Sequence, residues 1–234
     1  MAKPIYPHCG RIDNFSFIYC EMAMEAYYHA SKMVDEIKKK NYFAIEGAIE
    51  WDALGKDVIK TVVFSAMTIE AFFNNYAAAC LGDSEFYGSF DQLSPISKFE
   101  LIAKFILEAQ IDKSKSYYSQ LKKLIARRNL YIHNKSKAVT FGYATLEEAL
   151  EVQRRVQQLM DQGPKIDKQR LKSELNEALD ALKAVRDIAR FFDQHDTNVY
   201  AIKQLFRLHS MNNADPYEQY KRFTHKALQI KMEE

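Results

Sequence analysis

The stretch KSYYSQLKKLIARRNLYIHN, Lys115–Asn134, has the apolar spacing of a helix and one residue that breaks its pattern. With Leu121 at zero and about 100° per residue, Leu124, Ile125 and Ile132 lie within about 60° of it and define a buried face. Arg128 falls inside that stripe, about 20° from its centre. Asn129 and His133 stand one turn apart on its flank. A guanidinium facing a core loses hydration at great cost unless a partner replaces it. The helix upstream offers one, because Glu70 sits on the edge of its apolar face beside Ala66, Ile69 and Phe73. An Arg128–Glu70 pair is therefore expected. It is either an ion pair that fixes helix register or one wall of a polar cleft where an Arg, an Asn and a His converge.

Working outward, apolar residues recur at helical spacing over most of the chain. Helices are expected at about Phe17 to Lys39, Asp57 to Leu81, Pro95 to Ala109, Lys115 to Asn134, Leu146 to Asp161 and Lys168 to Phe192. A short segment around Ile45 to Leu54 precedes the second, and Gly82 to Leu93 reads as a loop. Ser94-Pro95 has the chemistry of a helix start. The helix from Lys168 repeats Leu171, Leu175, Ala178, Leu182, Val185, Ala189 and Phe192 in steps of four and three. That seam is either the core stripe of a bundle helix or a surface that pairs with another chain. Asn198 to Met211 and Tyr217 to Met232 follow. Gly163-Pro164 marks a boundary between residues 15–162 and a C-terminal helical extension, residues 165–234.

Composition agrees with an all-α protein. The chain has 234 residues with only 7 Gly and 5 Pro, too few for the many turns of a sandwich or barrel. Its 15 Phe and 14 Tyr argue against disorder. Cys9, Cys20 and Cys80 are widely spaced, so neither a disulfide framework nor a thiolate zinc site is expected. No His, Asp and Glu cluster has ligand spacing, and neither a metal nor a cofactor is expected. No apolar run suits a membrane span or a signal peptide, so a cytoplasmic protein without a membrane partner is expected.

Net charge is only +2, yet Asp112 to Lys137 holds eight Lys or Arg against a single acid. Lys122, Lys123, Arg127, Lys135 and Lys137, with Tyr131, form a candidate RNA-binding set. Tyr117 and Tyr118 are interleaved as where bases stack beside bound phosphates.

Arg128-Asn-Leu-Tyr-Ile-His133 resembles the R-x(4–6)-H signature of the HEPN superfamily, with the polar second residue usual there. Phe64-Ser-Ala-Met-Thr-Ile-Glu-Ala-Phe-Phe-Asn-Asn-Tyr76 resembles the second helix of such domains, and Ser97-Lys-Phe-Glu-Leu101 their third. The likeness covers about Phe17 to Ala138. A second match, Arg190 to His195, ends the seam helix and lacks the polar residue. The resemblance implies an up-and-down bundle of four or five helices with additional C-terminal helices. It implies a metal-independent endoribonuclease that drives a ribose 2′-hydroxyl onto the adjacent phosphate. In that reading His133 transfers protons, Arg128 stabilises the phosphate, Asn129 orients His133 and Glu70 positions Arg128.

Arg128 and His133 lie about 140° apart around one helix. A homodimer that shares the site between two copies of this helix is expected from that angle and from the resemblance. RNA is the expected partner, with an antitoxin or a nucleotidyltransferase-type protein as further candidates, in a toxin or phage-defence setting. Two other readings stay open: a non-catalytic module that binds RNA, nucleotide or protein, and a structural dimer held by the Leu171–Phe192 seam.

Overall fold

Leu54 and Val58 stand one turn apart on the same buried face, on either side of Gly55. Their burial carries one helix, Glu46–Leu81, through the glycine where two segments were expected. A glycine inside a helix costs about 1 kcal/mol relative to alanine, which two buried aliphatic side chains readily offset. A Cβ at Gly55 would meet nothing within 4 Å. Gly55→Ala is therefore expected to stabilise the protein by about 0.5–1 kcal/mol, a rise of roughly 1–4 °C in Tm in a thermal melt. At the far end Gly82 takes φ 87°, and its N–H donates to the Ala78 carbonyl. That left-handed cap suits glycine.

The computed structural model describes residues 15–40, 46–82, 86–133, positions 150, 151, 153, 154 and 157, and residues 168–196. Most of these are helical, residues 107–115 form turns and loop, and no strand is among them. Helix α1 is Ser16–Lys40 and α2 is Glu46–Leu81. A π-helical turn, Phe86–Phe90, occupies the expected loop and buries both phenylalanines. Helix α3, Pro95–Leu101, starts where Ser94 Oγ accepts from the Ser97 N–H at 3.1 Å. It passes into a second π-helical turn, Ile102–Ile106, and stops short of Ala109 because Glu108 turns left-handed at φ 52°. Helix α4 is Ser116–Ile132 and α5 is Lys168–His195. The described positions between 150 and 157 are helical and exposed, and the helices expected after residue 197 lie outside the described residues.

Two clusters of buried side chains hold the bundle. Ala23, Tyr27, Ala30 and Val34 of α1 meet Leu54 and Val58 of α2 with Leu171, Leu175, Ala178 and Leu182 of α5. The second joins Ile69, Phe72, Phe73 and Tyr76 of α2 to Phe99, Leu121, Leu124, Val185, Ile188 and Phe192. Every seam residue of α5 is thus buried within its own chain. The seam is a core stripe with no face left for another chain, so the structural-dimer reading loses its interface. The helix beyond Gly163-Pro164 contributes to both clusters. Among the described residues no helix is long and apolar enough to cross a membrane.

Candidate functional site

Leu121, Leu124 and Ile125 turn into the core and carry Arg128 along the same stripe toward α2. There Arg128 Nη2 donates to Glu70 Oε2 at 2.5 Å, joining residues 58 apart in sequence. The expected pair exists, and it lies at the edge of the core rather than inside it. The Arg128 side chain is 17% exposed and that of Glu70 33%. Arg128 Nε is buried without an acceptor, so the guanidinium is held at one end only.

One turn beyond Glu70, Asn74 Oδ1 accepts from Lys98 Nζ at 2.6 Å. Lys98 is 1% exposed. Burial pulls its ammonium below the ordinary lysine range, opposed first by the charge of Glu70 and then by that of Asp91, 4.0 Å away. The close partner of Lys98 is thus the neutral amide of Asn74, whereas Glu70 is bonded to Arg128. Lys98 was missed in reading the sequence although a signal was present. Pro95, Lys98, Phe99 and Ile102 occupy the i, i+3, i+4 and i+7 positions of an apolar stripe, and all four are buried.

Asn129 and His133 behave differently. Both are exposed, and His133 caps α4, its backbone N–H donating to the Asn129 carbonyl at 2.9 Å. Their neighbours Leu130 and Ile132 are 54% and 50% exposed. Ile132 is therefore a correction. Its angle matches the buried face, but the buried stripe ends at Arg128 and the last turn of α4 extends beyond it. Within one chain the structure brings Arg128 to Glu70 and leaves Asn129 and His133 facing solvent.

The candidate RNA-binding residues divide. Lys122, Lys123 and Arg127 are exposed on α4, whereas Lys135 and Lys137 lie outside the described residues. Tyr118 is buried, with its hydroxyl donating to Glu100 Oε1 at 2.6 Å, and Tyr117 packs its ring against Phe99 and Phe191. These two side chains fasten helices together. Tyr131 is half-buried and donates to Glu177 of α5, which also lies 3.5 Å from Arg127. Burial, and then the Glu177 carboxylate, hold the Tyr131 phenol well above its ordinary range. Glu177, which no spacing rule singles out, steadies α4 from α5, about 60–100° around the helix from the Glu70 contact. Between α4 and α5 runs an open groove of about 1120 Å³ with Lys123, Arg127 and Lys172 among its lining and Val62, Leu124 and Ala181 as its buried floor.

The second Arg-to-His match has no such setting. Arg190 lies 3.8 Å from Asp187, and His195 stacks on Phe191 with Nδ1 at 2.7 Å from that residue's carbonyl. Cys20 is buried, and burial followed by the charge of Glu21 pushes its thiol up to about 12, so it is no nucleophile. Compared with protein-family models, with curated proteins and with solved structures, the chain matches none.

Proposed function

We propose that this chain is a HEPN-type helical bundle that cleaves RNA without a metal, by attack of a ribose 2′-hydroxyl on the adjacent phosphate. The observation that carries this reading is the Arg128–Glu70 pair, which anchors one end of the guanidinium on the helix that also exposes Asn129 and His133. An anchored, partly open guanidinium suits a phosphate whose charge grows in the transition state. An exposed imidazole on the same helix can both accept and donate a proton. Lys122, Lys123 and Arg127 extend the cationic surface along α4 and would bind the rest of the strand.

His133 makes no hydrogen bond to Arg128 within one chain, as their separation around the helix requires. A second copy resolves this. Leu130, exposed and about 60° around the helix from His133, gives that side of α4 an apolar patch that a twofold-related α4 would cover. Each site would then take Arg128 from one protomer and His133 from the other. Mixing Arg128→Ala with His133→Ala subunits is expected to restore up to about a quarter of wild-type cleavage, since a heterodimer carries one intact composite site of two and half of random pairs are mixed. Activity that never rises above the parent variants excludes a shared site. A single-chain arrangement with His133 remote from Arg128 favours a module that binds RNA without cutting it.

The primary test is labelled single-stranded RNA incubated with the protein in EDTA. Fragments ending in a 2′,3′-cyclic phosphate are expected. Intact RNA across varied sequences overturns the ribonuclease reading.

A further inference from the structure

Both carboxylates that line the α4–α5 groove are already taken. Asp180 lies 3.2 Å from Lys183 on its own helix, and Glu177 accepts from Tyr131 and lies 3.5 Å from Arg127. Lys123 of α4 and Lys172 of α5, exposed in the same lining, make no ion pair among the described residues. The groove is therefore positive although acids and bases both line it. A solvated lysine is an ordinary surface feature, and these two gain meaning from where they stand.

Tyr117 packs on Phe191 near the start of α4, and Tyr131 bonds to Glu177 near its end. The two helices therefore run antiparallel, with equal lengths of each between the contacts. In that register Lys172 stands just past the C-terminal end of α4, about 20 Å along the axis from Lys123, with the Arg127–Glu177 pair between them. One phosphate cannot reach both lysines. A single ligand that meets both is an extended chain with negative charge repeated along it. Between Lys172 and Glu177, Ser173 and Asn176 supply neutral donors and acceptors of the kind that meet sugars and base edges. Packed helices stand only about 8–10 Å apart, too close for a duplex to enter between them.

We propose that the groove between α4 and α5 seats a single strand of nucleic acid, its phosphates held by Lys123 on one wall and by Lys172 on the other. The inference rests on the reading of α4 as an RNA-binding helix, and it extends that surface to a second helix that the Arg128-to-His133 motif does not include.

Binding of a fluorescent, single-stranded 2′-deoxy oligonucleotide, which cannot undergo the cleavage, tests the groove without relying on activity. Its affinity is followed as salt is raised from about 50 to about 200 mM. Lys172→Gln is expected to weaken binding about fivefold near 0.1 M salt and to lower the log–log salt slope by about 0.7, the share of one phosphate contact on a single strand. Lys123→Gln is expected to do the same, and the two losses together should reach about 25-fold, since well-separated sites act independently. Lys104→Gln removes an exposed lysine outside the groove and is expected to change neither quantity. Both groove lysines are exposed, so their replacement leaves the bundle intact, which thermal melts check. A duplex of the same sequence is expected to compete poorly.

A Lys172→Gln protein that binds as wild type does, a duplex that competes as well as the single strand, or a wild type that binds no oligonucleotide would each overturn the proposal. Polyglutamate that displaces the oligonucleotide at equal charge concentration would overturn it too, and would assign the groove to an acidic polypeptide. RNA cleavage separates the two ideas. If wild type leaves RNA intact while the binding pattern holds, the ribonuclease reading falls and the groove stands. If wild type cleaves and Lys172→Gln binds normally, the groove falls and the ribonuclease reading stands.

Discussion

Replacing His133 with alanine is expected to lower RNA cleavage by about 10²–10⁴-fold, the usual contribution of a positioned acid–base group. Folding should not change. The side chain is exposed, and the capping bond to Asn129 is made by the backbone N–H, which alanine keeps. A surface substitution of this kind stays within roughly 0.5 kcal/mol of wild type. Binding of the 2′-deoxy oligonucleotide should also survive, since the phosphate contacts are assigned to Arg128 and the lysines of α4 and α5. Arg128→Ala makes a less clean comparison. It removes the transition-state cation and also leaves Glu70, half-buried, without its partner, so lost activity would be mixed with lost stability. A His133→Ala protein that cleaves at the wild-type rate would place the proton transfer elsewhere.

The Arg128–Glu70 pair was legible in the sequence for a simple reason. A charge on an apolar stripe must find an opposite charge, and Glu70 lay on the adjoining helix at the edge of its own stripe. Lys98 also lies on an apolar stripe, but the helix carrying it is short and its close partner, Asn74, is a neutral amide that no charge rule singles out. Ile132 shows the limit of the angular argument. Periodicity tells which face a residue occupies but not how far along the axis the neighbouring helices extend. The α5 seam shows a related limit, since a stripe of period 3.5 declares that it will be covered and says nothing about which chain covers it. Glu177 was not legible at all. It is an ordinary polar residue on α5, and its two contacts with α4 depend on the longitudinal register of helices joined by residues 133–167.

The register of α5 is itself testable, because one residue near its end ties three helices together. Phe192 is fully buried, with its ring 4.7 Å from that of Phe72 in an edge-on contact and 5.2 Å from that of Tyr76. Phe73 and Phe99 complete the surround at 6.0 and 6.4 Å. Phe192→Ala removes a whole ring from between α2 and α3, and neighbouring aromatics of fixed shape cannot collapse into the space. The expected loss is about 3–5 kcal/mol, the range for buried Phe→Ala, against a typical total of roughly 5–15 kcal/mol. Tm should fall by roughly 6–20 °C. The conservative Phe192→Leu should cost markedly less, since it keeps most of the apolar volume. Truncation at Gly163 carries the same logic further. It strips Leu171, Leu175, Ala178 and Leu182 from one cluster and Val185, Ile188 and Phe192 from the other. The remaining fragment should show no cooperative unfolding transition by circular dichroism. A sharp melt from that fragment would mean that α1 to α4 form a core of their own, and α5 would then be the appendage that the Gly163-Pro164 boundary suggested.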